Sequence, residues 1–240
     1  MSFHSEEEEE KNPTCHQCDS IKYCVSGRAN NKKENCPMTI SPEIEKEALE
    51  LYKKDDFIRK STRVASIVEA KGYIKWPRLK DTIEFAKGMD YNKLGLAFCV
   101  GLQSEAEQIA KILGIYGFEV LSVCCKTGSV PKTKVGVPEE YTMMSKTGYP
   151  IGNITCNPAA QALLFNKANT NLNIIIGLCV GHDITFTHIS KAPVTTLIAK
   201  DRSSPHNPAA CLLTHYGKTF FAMDHSEMKR KEFEKKKQKK

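Results

Sequence analysis

Residues 172–180 read LNIIIGLCV, the most apolar run of the chain, and they predict a strand that is buried on both faces. Two shorter apolar runs precede it, at residues 94–100 and 118–123, and a helical pattern over residues 105–116 separates them. Apolar strands that alternate with helices form a parallel sheet with helices on its faces. The sequence therefore predicts an α/β fold with a doubly wound, mostly parallel sheet, in which ligands bind beyond the carboxyl ends of the strands.

The flanking sequence predicts the remaining elements from its capping residues and its apolar spacing. Helices are predicted at residues 41–71, 78–87, 157–168, 183–190 and 207–214. Two further strands are predicted at residues 194–199 and 219–223. A long loop rich in Gly, Pro, Lys and Thr occupies residues 126–150, and long loops inside compact domains are often functional.

Length and charge indicate how the chain is organised. The 240 residues are 40% hydrophobic and 26% charged, which is typical of a globular protein with one sizeable core and a small satellite. The net charge is +7, but residues 229–240 carry most of it, so the rest is nearly neutral and gives no specific nucleic-acid signal. The predicted organisation is a disordered acidic leader (1–13), a four-cysteine metal module (14–40), a helical segment (41–90), an α/β domain (91–225) and a basic tail (226–240).

The ends and the apolar runs of the sequence indicate where the protein resides. Residues 1–10 read MSFHSEEEEE and have no apolar core, so no secretory signal is predicted. The run at residues 172–180 falls far short of the ~20 residues of a membrane-spanning helix. The sequence therefore predicts a cytoplasmic protein without a membrane span, whose ten cysteines are reduced thiols.

Four of these cysteines lie in the polar segment at residues 14–40. They are spaced Cys15-x2-Cys18-x5-Cys24-x11-Cys36, and the segment around them has too few apolar residues to fold alone. A pair of cysteines two residues apart chelates one ion, and two further thiols complete a set of four ligands. The spacing predicts a bound zinc ion or iron–sulfur cluster and does not choose between them. The alternative is four unrelated thiols in a loop.

The other cysteine groups follow the predicted strands. Cys99 and Cys179 each begin the same tripeptide, Cys-Val-Gly, at the end of a strand, and Cys124 and Cys125 end a third strand. In a parallel sheet all of these positions lie at the edge where ligands bind. The sequence does not decide whether Cys124 or Cys125 faces the ligand. The alternative for each thiol is that of a small core residue.

A second repeated pattern brings two more candidate ligands to this edge. Cys156 and His206 are each followed by Asn-Pro-Ala-Ala, in which Asn suits a helix cap and Pro the first helical position. Each would therefore lie at a helix N-terminus, where the helix dipole favours a thiolate or another anion. The predicted ligands of a second centre, which we expect to be an iron–sulfur cluster, are Cys99, Cys124 or Cys125, Cys156, Cys179 and His206.

Polar residues at the same strand ends are candidates for catalysis. His182 and Asp183 follow Cys179 directly and are candidate proton donors or partners of a metal ligand, although Asp183 could simply cap a helix. Lys200 and Arg202 follow the last buried strand and could hold an anionic group or stabilise a reduced cluster. The predicted catalytic residues are His182, Asp183 and Lys200. The glycine-rich nucleotide motifs and the serine-hydrolase motif are absent.

These motifs resemble those of a family of uncharacterised cysteine-rich proteins of anaerobic bacteria and archaea, a domain of unknown function regarded as metal-binding. The resemblance covers about residues 14–215 and departs at residues 203–205. It implies metal binding and supplies no known reaction. Besides the N-terminal cysteines, it rests on AFCVGL (97–102), SVCCK (122–126), CNP (156–158), GLCVGHD (177–183), SKAPVTTL (190–197), KDR (200–202) and HNP (206–208).

Three functions remain open from the sequence. The first is a metal-binding protein with an N-terminal zinc or iron–sulfur site and a second thiolate-rich site, an iron–sulfur redox centre that acts on a small molecule or an electron-transfer partner. The second is a non-catalytic zinc sensor or storage module. The third is a thiol-dependent enzyme with one activated cysteine. Several thiols at one sheet edge favour the first, because a single nucleophile needs only one thiol and a base.

Overall fold

The computed structural model describes residues 12–19, 24–27, 33–142 and 150–238. The chain divides into two compact units, Met1–Ala70 and Lys71–Lys240. Apart from its last two residues, the predicted acidic leader lies outside the described residues. Residues 143–149 of the predicted long loop do so as well.

From residue 78 to residue 198 the helices and strands follow one another in the order that the sequence predicts. No helix in the described part of the chain is long and apolar enough to cross a membrane. The helices are α1 (Pro37–Ile40), α2 (Glu43–Lys54), α3 (Asp56–Gly72), α4 (Arg78–Gly88), α5 (Gln103–Ile115), α6 (Pro158–Ala168), α7 (His182–Ile189), α8 (Ala210–Leu213) and α9 (His215–Gln238), and the strands are β1 (Lys93–Phe98), β2 (Glu119–Cys124), β3 (Leu172–Ile176) and β4 (Val194–Ile198).

The four strands form one sheet in the order β2-β1-β3-β4, and every neighbouring pair is parallel. In the centre of the sheet Leu96 pairs with Ser122 on one side and with Ile174 on the other. All five residues of β3 are buried, as the apolar run predicts. The predicted parallel sheet is therefore confirmed, and the carboxyl ends of all four strands meet at one edge.

Helices cover both faces of this sheet. On one face, Leu96 and Ile174 pack in a core cluster that includes residues of α4 and α5. On the other face, Ile175 packs in a second cluster with Phe165 of α6 and Phe186 of α7, whose rings meet edge to face at 6.0 Å. The predicted doubly wound α/β architecture is confirmed.

A glycine beside a buried asparagine lets α6 pack closely against the sheet. Asn173, in the middle of β3, is 0% exposed; its Oδ1 accepts from Thr170 Oγ1 and its Nδ2 donates to Ser190 Oγ, both at 2.8 Å. Beside it in β1, a Cβ at Gly95 would meet this Oδ1 and lie 2.9 Å from the Phe165 ring. Only glycine therefore lets α6 pack this closely against the sheet.

Three sequence predictions outside the sheet are wrong. Residues 219–223 are predicted as a strand but lie in α9, where Phe220 and Phe221 are exposed, so they lack the buried face that a strand would give them. The helix predicted over residues 41–71 is two helices, because Asp55 leaves helical geometry and its carboxylate accepts from Ile58 N at 2.9 Å. The helix predicted from residue 207 begins at Ala210.

Candidate thiol site

Backbone hydrogen bonds carry the strand ladder past the last strand residues and fix two cysteines at the sheet edge. Cys99, directly after β1, donates its amide to Ile176 O at 3.0 Å. Cys125, directly after β2, donates its amide to Phe98 O at 2.8 Å. The main chain at these two cysteines is therefore held as firmly as the sheet itself.

Cys156 reaches the same edge from the start of α6. The amide of Asn157 donates to Cys125 O at 2.7 Å, and Asn157 Oδ1 accepts from Ala160 N at 3.0 Å. Asn157 is therefore the N-cap of α6 and Pro158 its first residue, as the sequence predicts. This pair of bonds holds Cys156 at a helix N-terminus and beside the end of β2.

The repeated Cys-Val-Gly tripeptide forms a similar turn at both of its positions. Leu102 N donates to Cys99 O at 2.8 Å, and His182 N donates to Cys179 O at 2.9 Å. The first turn continues into a 3-10 helix, and in the second Gly181, with a φ of 89°, begins α7. Cys179 and His182 thus lie at the two ends of one turn that follows β3.

The side chains of four cysteines are joined in series by hydrogen bonds, from Cys99 to Cys125, from Cys125 to Cys156 and from Cys156 to Cys179. We call these four residues the thiol row. Cys125 is only 1% exposed, whereas the other three are half-buried. The structure thus brings together four of the predicted ligands of the second centre.

Cationic side chains surround the thiol row. Arg202 donates from Nη2 to Cys179 Sγ at 2.8 Å. Lys200 hydrogen-bonds to the Cys99 thiol, and His182 to that of Cys156. Lys126, whose Nζ donates to Ile154 O at 2.6 Å, adds a positive charge near Cys156. The predicted placement of Lys200 and Arg202 at the sheet edge agrees with these contacts.

Hydrogen bonds within the row separate the four pKa values. The bond to Cys125, the Gly101 amide and Lys200 lower the pKa of Cys99 to about 5. Bonds to Cys125 and Cys179 lower the pKa of Cys156 far below that of an ordinary thiol, and His182 adds to this. The same bonds raise the pKa of Cys125 and of Cys179. Thiolate and thiol therefore alternate along the row.

The pKa of His182 is raised, chiefly by its hydrogen bond to Cys156. This bond joins the imidazole ring to the thiol of the row whose pKa is lowered most, at the N-terminus of α6. His182 Nδ1 is buried and has no hydrogen-bond partner among the described residues. The contact places His182 beside the thiol row.

Gly177 lets the segment between β3 and Cys179 pack closely against Leu102 and Lys200. Gly177 has a φ of 68°, and a Cβ there would collide with Leu102 and lie 3.6 Å from Lys200 Cδ. Leu102 is 2% exposed and cannot move into solvent at low cost. Gly177 therefore maintains the path from β3 to Cys179.

A buried glutamine at the site has no counterpart in the sequence predictions. Gln161 of α6 is 0% exposed, and its Nε2 donates to Val123 O at 2.7 Å and to Phe98 O at 3.4 Å, at the ends of two strands. Its Oε1 is buried without a hydrogen-bond partner in the described part of the chain. The only signal in the sequence is one amide in the apolar run PAAQALLF, which is too weak to assign a role.

Several predicted site residues have contacts elsewhere. Cys124 Sγ accepts from Lys126 N at 3.5 Å, whereas it is Cys125 that hydrogen-bonds to Cys99 and Cys156 in the row. Asp183 Oδ1 accepts from Ile184 N at 2.8 Å, whereas the N-cap of α7 is Gly181. His206 does not begin a helix: its Nδ1 accepts from Asp201 N at 3.3 Å in a turn ahead of α8.

The N-terminal cysteines have fewer buried residues around them than the thiol row has. Cys15 and Cys24 are exposed, and Cys18 and Cys36 are half-buried. Thr14 N donates to Asn35 O at 3.4 Å, and their side chains are also hydrogen-bonded, so Cys15 and Cys36 follow two residues that lie side by side. No residue is buried in the described parts of the segment 14–40.

The donor types in the thiol row suit a thiophilic metal, because thiolates are the preferred ligands of zinc and of iron–sulfur clusters. The side-chain arrangement does not enclose one. Across the described residues, no group of three or more His, Cys, Asp or Glu side chains is arranged so that it could hold a metal ion. The sulfur atoms form a hydrogen-bonded row, and ligation of a common ion requires rotation of their side chains.

Comparison with known proteins shows that the thiol row lies within a region shared with other proteins. A family model described as "Protein of unknown function (DUF1847)" matches residues 36–197, which include the whole row but not Cys15, Cys18 or Cys24. The "Uncharacterized protein MJ0455" of Methanocaldococcus jannaschii is 42% identical over 202 residues, which is 84% of this chain and 94% of that protein. No solved structure matches the chain.

Proposed function

This chain belongs to the DUF1847 family, whose function is unknown, and we propose from its geometry that the thiol row is a metal centre. Cys99, Cys125, Cys156 and Cys179 would bind a thiophilic metal, either an iron–sulfur cluster or zinc. One observation carries the proposal: four thiols are in contact at the sheet edge where parallel α/β folds place their ligands. A single nucleophile would need only one of them.

The residues around the row have separate tasks in this proposal. Asn157 and the β-sheet hold the main chain of Cys125 and Cys156, so that only side-chain torsions remain to be set on binding. Lys200 and Arg202 offset the negative charge of the sulfur atoms. The metal, when bound, would supply electron transfer as an iron–sulfur cluster or a fixed structure as zinc.

The N-terminal cysteines form a second, separate proposal. Their spacing supports a four-cysteine site for zinc or an iron–sulfur cluster, formed by Cys15, Cys18, Cys24 and Cys36. Metal binding would supply the folding free energy that this segment does not obtain from buried apolar surface. We place the protein in the cytoplasm, where its thiols stay reduced, with a small molecule or an electron-transfer protein as the partner of the thiol row.

One observation favours a second function. The pairing of Cys156 with His182 at the N-terminus of α6 is the arrangement of an activated thiol nucleophile and its base. In that case the protein is a thiol-dependent enzyme, and the other three thiols are structural. The zinc sensor or storage module differs from the redox centre only in the metal that the row binds.

Metal analysis of the full-length protein, purified without oxygen, tests these functions. The variants are Cys156→Ser for the thiol row, Cys18→Ser for the N-terminal site and Cys211→Ser as a control, since Cys211 Sγ bonds to Pro208 O in a separate turn. Zinc, iron, acid-labile sulfide and visible absorbance are measured for each. We expect Cys156→Ser and Cys18→Ser each to lose one centre, and Cys211→Ser to lose none.

The outcomes separate the three functions. Visible absorbance that dithionite bleaches and that Cys156→Ser loses supports an iron–sulfur redox centre. A colourless protein that loses zinc in Cys156→Ser supports the sensor or storage module. An unchanged metal content in Cys156→Ser overturns the metal centre, and rapid alkylation of one cysteine, Cys156, would then support the thiol enzyme.

A further inference from the structure

Cys156 and Cys179 are the neighbouring pair of the thiol row in which both thiols are accessible. Cys156 contacts the thiols of both Cys125 and Cys179. Cys125 is 1% exposed, whereas Cys156 and Cys179 are both half-buried and are therefore accessible from solvent. A dithiol that exchanges with a disulfide needs an accessible attacking sulfur and a second sulfur within reach of it. Cys156 and Cys179 meet both requirements.

We propose that Cys156 and Cys179 are a dithiol–disulfide couple that exchanges with negatively charged low-molecular-weight disulfides when the row holds no metal. This activity is additional to the metal centre, because it uses only two of the four thiols and requires no ion. It gives the protein a reversible two-electron reaction.

The exchange consists of two balanced displacements. Cys156 gives its proton to solvent and its thiolate attacks one sulfur of the disulfide; the S–S bond breaks, and the first half leaves as a thiolate that takes up a proton from solvent. The Cys179 thiol then loses its proton and attacks the Cys156 sulfur, and the second half leaves as a thiol with that proton. Two protein thiols are oxidised to one disulfide, and one low-molecular-weight disulfide is reduced to two thiols.

The secondary structure holds the two sulfur atoms in position for this reaction. Cys156 directly precedes the N-cap of α6, and Cys179 lies in the turn that leads into α7. These helices pack against each other through Phe165 and Phe186, both 0% exposed. The two cysteines are thereby fixed relative to each other by a rigid core rather than by a flexible loop.

Charge near the couple determines which disulfide reacts. Arg202, Lys200 and Lys126 place three positive charges beside the row. His182 and Asp183 of α7 also carry charge at this edge, and the Asp201 carboxylate, which lies between Lys200 and Arg202 in the chain, is bound by Ser203 and Ser204. An anionic disulfide is attracted by this field and a cationic one is repelled, which changes the association rate by roughly tenfold or more at low salt.

The test uses full-length protein that has been reduced and then freed of metal by a chelator. This protein is treated with oxidised glutathione, and mass spectrometry of its peptides identifies which cysteines are linked. We expect one dominant internal disulfide, Cys156–Cys179. Cys179→Ser should stop at a glutathione adduct on Cys156, Cys156→Ser should form neither product, and Cys211→Ser should behave as the wild type. Cystamine, a cationic disulfide, should react about tenfold more slowly, a ratio that falls as salt is added.

A dominant disulfide at any other pair, or no adduct on Cys156 in Cys179→Ser, overturns the couple. Circular dichroism checks that each variant is folded, and trapping of the mixed disulfide during the wild-type reaction tests the first step without any substitution. The metal content of the same preparation is measured before chelation. Exchange in a protein that never held metal overturns only the proposed metal centre, and a normal metal content without exchange overturns only the couple.

Discussion

The N-terminal cysteines and the thiol row contain the same functional group in opposite structural settings. Around Cys15, Cys18, Cys24 and Cys36 no described residue of the segment is buried. Around the thiol row, strand ends, a capped helix and a buried glutamine fix every position. A metal at the first site would therefore create the local structure, whereas at the second site the fold creates the place for the metal. Cysteine spacing alone does not distinguish the two.

The largest expected effect is at the N-terminal cysteines and tests whether a metal creates the local structure there. Cys18→Ser should increase the rate of proteolysis within residues 14–40 by at least about tenfold, because a structural metal contributes roughly 10 kcal/mol or more to the folding of such a module. Limited proteolysis followed by mass spectrometry measures the rate. Cys156→Ser is the matched control and should leave cleavage in this segment unchanged. Equal cleavage rates in wild type and Cys18→Ser would show that the segment folds without metal.

The second prediction concerns the support that the fold gives to the thiol row. Gly177→Ala should lower the free energy of unfolding of the α/β unit by about 2–4 kcal/mol, since strain at a positive φ and overpacking each cost on the order of 1–3 kcal/mol. Gly136→Ala, at a φ of 80° with no atom within 4 Å of its Cβ, has the strain without the collision and should cost about 1 kcal/mol. Urea unfolding measures both, and equal losses would contradict the role given to the contact with Leu102.

The third prediction tests the charge pattern in metal-free protein. With a pKa of about 5, Cys99 should be alkylated by iodoacetamide at a rate that falls to half its plateau near pH 5. Lys200→Met should move this midpoint to higher pH, because the ammonium group stabilises the thiolate. Mass spectrometry of the Cys99 peptide follows the reaction. A midpoint near pH 9 in the wild type would show that Cys99 is an ordinary thiol.

The same pKa has a consequence for stability. The pKa of Cys99 is lower in the folded chain than in the unfolded one, so the unfolded chain binds more protons between the two values. The contribution of Cys99 to stability is therefore complete above about pH 9, declines as the pH falls, and is absent below about pH 5. Lys200→Met should raise the pKa of Cys99 in the folded chain, so that the decline in stability spans a narrower range of pH.

The smallest effect is expected from the C-terminus. Deletion of residues 229–240 removes a net charge of +6 but none of the proposed ligands. The protein should leave a negatively charged resin at lower salt, because fewer positive charges contact the resin, while its metal content stays the same. Chromatography and metal analysis of the two forms check this. A lower metal content in the deletion variant would show that the tail supports one of the two sites.

The sequence predicts the part of the site that depends on local rules. Asn157-Pro158 indicates a capped helix and Leu172–Ile176 a buried strand, and parallel topology then brings the cysteines to one edge. It could not choose between Cys124 and Cys125, because neighbouring residues near a strand end point in opposite directions and the choice depends on where the strand stops. Cys124 proves to be the last residue of β2.

The remaining features depend on contacts between distant segments. The order of hydrogen bonds along the thiol row, and the bond from Arg202 to Cys179, are set by side-chain rotamers that no periodic pattern encodes. The same is true of Gln161, whose partners belong to two different strands. At residues 219–223 a short aromatic run favours a strand, but the helix-forming residues that follow it, rich in Lys, Glu and Met, determine the structure.

The spacing of the thiol row along the chain has a consequence for the order of events during synthesis. Its four cysteines lie more than twenty residues apart from one another, so until the sheet has formed any two of them can share an ion only by closing a long loop, at a cost in chain entropy. Cys15 and Cys18, which are separated by two residues, can capture an ion as soon as they leave the ribosome. An ion in the thiol row would consequently favour the native state and contribute most of its binding free energy to stability, whereas an ion at the N-terminus also binds the unfolded chain and contributes less.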